Sequence, residues 1–578
     1  MTSSSPHSDG RPLRVHFIGN TCNNHYVLAK ALRQQGVDAH LFYNAGGHWQ
    51  THPAADDDCV VDNAPDWLHP YCAADEGPTP LRGPRAVLAR QIADCEVIHA
   101  EDIGVIWAAQ SGKPYVWDPY GYDMKFYGFN HYWQQHWHGN HPERVLAPLA
   151  FRQAVAGTAV VSLGLWYSPL RDGAAMIDGL VQDRFRHEIA LATDIDVFSP
   201  GTGRSIQELL ALTGSSIQVR GLTVFHPVRM MFTGASYVNK ANDRLIRAVG
   251  RLHAAGHEIT LVLSQRDTPC EPAAKSLIAE LGLSDRVAWI PSMPRRDLVE
   301  WYRAADVTAD EFEGGAMGSV AFESLACGTP LITRLIEEDA DPTFWSPQIS
   351  MPVLPPLIPA RTDDDIVAGL LRAITDRDWL RTLAVRSRAW MQEYGSPAYF
   401  ARKWMNVYAD ILTKPSAISA HGWRRPLPAM VTQTPDRDQV VEQLLNSRPV
   451  VLAELMAAFE QCPDDPRIIA GIVALLHRSG AGAFANSVLE YAAELLPESF
   501  PGVTRTVAPP LPPALAECDD PTLSRHVQDA LSDHRFGEAL AALDTLRDRY
   551  PQTGAFEQTR RDIVTAVTPS SLRLRRAS

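Results

Sequence analysis

A glutamate inside a short helix, entered through a run of glycines, is the part of this chain best suited to chemistry. The run is Glu313-Gly314-Gly315-Ala316-Met317-Gly318-Ser319, and Glu323 follows within the helical stretch Val320 to Cys327. Glycines let a backbone approach a ligand closely, and the free N–H groups that open a helix favour an anion. Glu323 lies too far into the helix to cap it. Its carboxylate either accepts hydrogen bonds from sugar hydroxyls or faces solvent, and the pattern alone allows both. A second loop, Gly19-Asn20-Thr21-Cys22-Asn23-Asn24, either borders a ligand or satisfies a turn's own backbone with its asparagines. Gly46-Gly47-His48-Trp49 offers an imidazole and an indole, either to a ligand or to the packing of its own loop. Four histidines between His131 and His141 have no nearby carboxylate or thiol except Glu143, so no metal set is assigned to them. They read as an aromatic and polar lip for a glycan, or as plain surface between two helices. No Gly-x-Ser-x-Gly elbow and no neighbouring Cys/His or carboxylate pair supplies a nucleophile.

The elements that must hold these loops alternate. Leu13 to Ile18 reads as a buried strand, His25 to Gln35 as a helix with Val27, Leu28, Ala31 and Leu32 inward, and Ala39 to Tyr43 as the next strand. This opening belongs to a doubly wound sheet, whose ligands sit beyond the carboxyl ends of the strands. It lacks the Gly-x-Gly-x-x-Gly of a dinucleotide site. Residues 44–85 are expected to form a long excursion on the active face, without strands. Further strands are predicted at 96–100, 114–117 and 160–162. A second alternating run begins at Leu222 to Phe225. It passes through a helix from Arg244 to Ala255, strands at 259–263 and 287–291, a helix from Asp297 to Ala304 and a strand at 307–309, and reaches the glycine-rich loop. Gly328 stops the helix that carries Glu323. Helices follow at 363–374, 379–394 and 397–412. After a Pro/Ser/Gly-rich linker at 414–430 only helical patterns remain.

The stretch Gly318-Ser319-Val320-Ala321-Phe322-Glu323-Ser324-Leu325-Ala326-Cys327-Gly328-Thr329-Pro330-Leu331-Ile332 resembles the donor-site signature of the large, family 4-like group of retaining GT-B glycosyltransferases. The resemblance covers roughly residues 12–412. It implies an α/β GT-B fold, two Rossmann-like domains facing a cleft, with an all-helical extension beyond. The implied division is a tail at 1–12, a first domain at 13–200, a nucleotide-sugar domain at 201–397, a helix at 398–413 crossing back to the first domain, the linker, and a helical region at 431–578. Within that region, the 466–497 and 536–551 stretches resemble tetratricopeptide helix pairs, and a helical bundle is the other reading. By the resemblance Glu323 faces the cleft and binds the ribose hydroxyls of a nucleotide-sugar. The family's other glutamate, eight positions earlier, is replaced here by Gly315. The sugar is therefore left to Glu313 or to the backbone of Gly315, Gly318 and Ser319. Arg229 and Lys240 match the cations that neutralise the donor pyrophosphate. Gly19 and Asn20 border it, Arg266 reinforces it, and Met293 flanks the base. Asp118-Pro119-Tyr120-Gly121-Tyr122-Asp123 resembles a family landmark that usually reads His-Gly-x-Asp. Tyr120 holds the histidine's place and Asp123 is as expected; with His48 they are the implied sugar or acceptor contacts.

Composition bounds this reading. A chain of 578 residues makes three or four domains, and a net charge of −14 argues against a general nucleic-acid binder. Eight cysteines without a Cys-x-x-Cys pair fit separate reduced thiols, and Met1 to Pro12 reads as a tail and not a signal peptide. No apolar run is long enough to span a membrane, so membrane contact is at most peripheral. The expectation is a cytoplasmic, metal-independent, retaining transferase that needs no cofactor and survives exhaustive chelation. It moves a hexose-type sugar from a nucleotide-sugar to a glycan, lipid-linked or protein-linked hydroxyl. Residues 431–578 are expected to bind a partner or acceptor or to self-associate, and a chain ending near Leu412 to retain nucleotide binding. Two alternatives stand: a GT-B sugar-nucleotide epimerase or hydrolase, and a catalytically inactive binding scaffold.

Overall fold

The computed structural model describes residues 11–45, 51–57, 65–71, 91–129, 144–162, 176–177, 180, 185–187, 192–232, 239–315, 317–335, 353–413, 452–478, 481–503 and 518–532, with scattered positions from 539 to 559. His48, the histidine-rich stretch and the 414–430 linker lie outside them.

The first domain runs β1 (Arg14–Ile18), α1 (Asn24–Gln34), β2 (Asp38–Asn44), β3 (Leu68–Tyr71), β4 (Val97–Ala100), α2 (Gly104–Gln110), β5 (Tyr115–Trp117), α3 (Tyr122–Phe126), α4 (Ala147–Gly157), β6 (Val160–Ser162) and β7 (Phe185–His187). All seven strands are parallel, in the order β3-β2-β1-β4-β5-β6-β7. Val15, Phe17 and Ile18 are buried because a central parallel strand is covered on both faces. The order reverses between β1 and β4, which opens a crevice at their carboxyl ends. β3 corrects the expected strandless excursion: Leu68-His69-Pro70-Tyr71 pairs with β2. It is the edge strand, where a proline's missing N–H costs no ladder bond.

α5 (Ile206–Leu212) opens with a capping box between Ser205 and Glu208. The second domain follows as β8 (Leu222–His226), α6 (Asn242–Ala254), β9 (Ile259–Ser264), α7 (Glu271–Glu280), β10 (Val287–Ile290), α8 (Arg295–Ala304), β11 (Val307–Ala309), α9 (Ser319–Cys327), β12 (Leu331–Thr333) and β13 (Ile358–Pro359). Its sheet is also parallel, in the order β10-β9-β8-β11-β12-β13, with the reversal between β8 and β11. Gly328 ends α9 at φ +72°, the left-handed conformation a helix stop requires.

α10 (Asp363–Thr375) and α11 (Arg377–Tyr394) complete that domain, and α12 (Pro397–Thr413) packs on α1 of the first. Trp404 and Tyr408 of α12 join an apolar cluster that includes Phe17 of β1 and Tyr302 of α8, so one core runs through both domains. The helical region contributes α13 (Leu452–Gln461), α14 (Pro466–Arg478), α15 (Gly482–Leu495) and α16 (Asp520–Ser532). α13, α14 and α15 share a core with α2 and α4 of the first domain. Arg152 Nη2 donates to the carbonyl of Glu460 (2.9 Å), and Gln153 Nε2 to that of Leu495 (3.0 Å). Among the described residues, no helix is long and apolar enough to cross a membrane.

Candidate active site

The loop after β1 and the start of α8 meet across the two domains. Gly19 turns the chain at φ +92°, and a side chain there would collide with Glu101 at the end of β4. Asn20 is buried and spends its amide on its own loop. Its Nδ2 donates to Asn23 Oδ1 (2.6 Å) and to the Thr51 carbonyl (2.8 Å), and its Oδ1 accepts from the Tyr26 N–H (2.9 Å). Cys22 and Asn23 follow in left-handed conformations, and the Cys22 carbonyl is thereby turned toward the second domain, where it accepts from Arg295 Nη1.

Arg295 is the centre of the interface. It begins α8, is 5% exposed, and donates from Nε to Glu323 Oε1 (2.7 Å). Its Nη1 also lies 3.3 Å from Asp56 Oδ2 in the first domain. Burial works against the guanidinium charge, but Asp56 and Glu323 outweigh it and raise the Arg295 pKa. Burial pushes the Asp56 carboxyl up to about 6, with Arg295 opposing. Glu323 is 2% exposed, and its other oxygen accepts from the Tyr302 hydroxyl (2.7 Å). The expected cleft-facing carboxylate is therefore covered, because Arg295 and Tyr302 bring donors to both of its oxygens.

The cations behave differently from one another. Arg229 is exposed just past β8, and Arg266 is half-buried just past β9, donating from Nη2 to the Pro227 carbonyl (3.2 Å). Burial lowers the basicity of Arg266 and the charge of Arg229 adds to the effect, while Tyr302, Glu323 and Cys22 oppose it. Two arginines that repel each other after neighbouring strands offer a place for an anion. Lys240 instead ion-pairs with the buried Glu311 at the foot of the glycine-rich loop. Next to Glu311, burial and that carboxylate push Asp310 up to about 7, while Lys240 pulls it down.

In the glycine-rich loop, Gly315 takes φ +75° and Gly318 caps α9 without a side-chain hydrogen bond, leaving the first N–H groups of the helix, from Ser319 onward, uncapped by a side chain. Glu313 is exposed, 3.7 Å from Arg334. Met293 is half-buried against the core. In the first domain Tyr120 donates its hydroxyl to Asp118 Oδ2 (2.7 Å). Asp123 is buried and accepts from the backbone N–H groups of Tyr120, Gly121 and Met124; burial pushes its carboxyl up to about 7. Asp123 thus shapes the turn that presents Tyr120.

Sequence reading missed Arg295, Asp56 and Tyr302 as site residues. A signal for the first exists: a cation at the start of a helix opposes the helix dipole and needs a nearby anion to be stable. Nothing in the sequence points from Arg295 to Asp56, which is 239 residues away.

Residues 227–337 match the family model of glycosyl transferases group 1. The D-inositol 3-phosphate glycosyltransferase of Mycolicibacterium smegmatis is 34% identical over 161 residues, covering 27% of this chain and 33% of that protein. The enzyme of that name from Xylanimonas cellulosilytica is 32% identical over 153 residues, covering 26% and 35%. The chain thus spans about a third of the length of these curated relatives. Among solved structures, Anabaena HepE in complex with UDP and glucose is 14% identical, with a TM-score of 0.47, over 69% of this chain and 100% of that one. Sucrose-phosphate synthase from Thermosynechococcus elongatus is 17% identical, with a TM-score of 0.42, over 69% and 99%. The matched stretch runs from the residue after β8 through α9 and β12, so it contains Arg229, Lys240, Arg266 and Glu323.

Proposed function

We propose that this chain is a retaining glycosyltransferase that takes its sugar from a nucleoside-diphosphate sugar and passes it to a hydroxyl of a glycan, lipid-linked or protein-linked acceptor. One observation carries the reading: Arg229 follows β8, Arg266 follows β9, and the Arg266 guanidinium feels both the charge of Arg229 and that of the signature carboxylate Glu323. Negative charge grows on the departing diphosphate as the sugar bond breaks, and fixed cations with helix N–H groups stabilise it there. In this reading the leaving phosphate oxygen helps remove the acceptor proton, on the face the diphosphate vacates, and no protein nucleophile takes part. The deciding experiment is incubation with a panel of nucleotide-sugars. A transferase releases nucleoside diphosphate only with acceptor, an epimerase returns an altered nucleotide-sugar, and an inactive scaffold turns nothing over. The scaffold reading draws on the covered carboxylate: Glu323 already holds two donors, and Gly315 offers no second one.

Arg229→Ala is expected to weaken nucleoside-diphosphate binding by about 1–3 kcal/mol, the scale of a lost charged hydrogen bond, with thermal stability unchanged because the side chain is exposed. Lys240→Ala differs, since it also strands the buried Glu311, and its melting temperature falls alongside. Titration calorimetry that finds equal affinity in the wild type and both variants removes the phosphate assignment.

The leaving group is stabilised by protein groups in this scheme, so turnover proceeds at the same rate with or without added magnesium or manganese. A rate that appears only on adding either ion contradicts it.

A further inference from the structure

We propose that the first domain holds a separate site, for one divalent d-block cation of the zinc kind, built from His25, His99 and Asp118. The three come from the first turn of α1, from β4 and from the end of β5, and meet in the crevice between β1 and β4. All are buried, and one ligand atom from each lies within 4.8 Å of the other two. His99 Nε2 stands 3.5 Å from Asp118 Oδ2 and makes no hydrogen bond to it. That spacing is close to the roughly 3.4 Å between two ligands that each sit about 2.0–2.2 Å from one tetrahedral ion.

The ring nitrogens are set for ligation. His25 Nδ1 lies 3.0 Å from the Gly19 carbonyl, which can only accept, so the proton sits on Nδ1 and the lone pair on Nε2. His25 Nε2 is fully buried and, like His99 Nε2, has no hydrogen-bond partner. An unpaired buried nitrogen costs stability, and a cation removes that cost for both at once. The supporting contacts are those that orient metal ligands: a backbone carbonyl on His25, the Tyr408 hydroxyl on His99 Nδ1 (2.6 Å), and the Tyr120 hydroxyl on Asp118 Oδ2 (2.7 Å). The ion would join α1, β4, β5 and, through Tyr408, α12. It lies apart from the donor residues of the second domain and does not depend on the transferase reading.

The test uses the full-length chain, purified from zinc-supplemented medium and desalted. Elemental analysis is expected to find about one zinc per chain. Cobalt(II) added to stripped protein gives the visible absorption of a tetrahedral centre, and zinc raises the melting temperature. Asp118→Asn and His99→Gln abolish all three. Tyr408→Phe keeps every ligand and lowers zinc affinity roughly 10–100-fold. Wild-type protein with only trace zinc, no cobalt spectrum and an unchanged melting temperature overturns the proposal, whether or not the variants fold. Zinc retained at wild-type level by Asp118→Asn and His99→Gln overturns it too, because the ion is then held elsewhere.

Discussion

Arg295→Met is expected to destabilise the chain by about 3–5 kcal/mol, the cost of breaking a buried ion pair by removing one partner. The methionine fills much of the same volume, but it leaves Asp56 and Glu323 without a cation in a place water does not reach. It also removes the donor to the Cys22 carbonyl, a hydrogen bond between the domains. Glu323→Gln is milder, roughly 1–3 kcal/mol, because Arg295 keeps Asp56 and the amide oxygen still accepts one hydrogen bond. The double variant should recover part of the single losses, since no isolated charge then remains beside α9. Urea unfolding checks this. A midpoint that does not move in Arg295→Met would mean that the network is worth nothing to the fold. Glu323→Gln differs from Arg229→Ala in a way that tests the site: it should lower both stability and nucleotide affinity, whereas Arg229→Ala lowers affinity alone.

A fragment ending at Thr413 is expected to associate or precipitate, while one ending at Val503 stays monodisperse. The earlier expectation that the shorter chain simply retains nucleotide binding rests on the donor residues alone. The structure adds that α13, α14 and α15 are not an appendage. Leu455, Phe459, Ile468, Ile472 and Tyr491 are buried in the same cluster as Trp107 and Phe151 of the first domain. Removing the three helices uncovers the other half of that cluster. A contiguous apolar patch of several hundred Å² on a free chain marks an interaction or aggregation site. Each large side chain left exposed forgoes about 1.5–3 kcal/mol of burial. Size-exclusion chromatography with light scattering decides the matter. A monomeric 1–413 fragment whose melting temperature matches that of the full chain would show that the shared core contributes little.

Much of the architecture is legible in the residues. The β1-loop-α1-β2 opening and the α9 stop at Gly328 follow from local signals that the fold does not override. β3 is hidden by its own proline, and only its place at the sheet edge makes that proline acceptable. α2 is hidden by its shortness. Val105-Ile106-Trp107-Ala108 is an apolar run that reads equally as strand or helix until the neighbouring α4 is in place. Around the candidate site, the glycine-rich loop and Glu323 are visible because their chemistry is consecutive. The cover on Glu323 is not, because Arg295 is 28 residues away and reaches it only once α8 and α9 have packed. The partner of Lys240 is hidden likewise, since Glu311 lies 71 residues on.

Among the described residues the chain crosses between the two domains at few points, and the arginines of the second domain hold one of them. Lys30 of α1 holds Asp194 on the first-domain side (3.1 Å). Arg388 of α11 takes the carbonyls of Ile195 and Phe198 (3.1 Å each), and Arg303 Nη2 of α8 takes the Ser199 hydroxyl (3.0 Å). The grip therefore changes hands within one closed turn, in which Asp194 also accepts from the N–H groups of Asp196, Val197 and Phe198. The return crossing is also short, Gly395 and Ser396 between α11 and α12. In mechanical terms this is a door on two pins. A rotation of one domain against the other that keeps both crossings intact has its axis through those two points. Its displacement grows with distance from them.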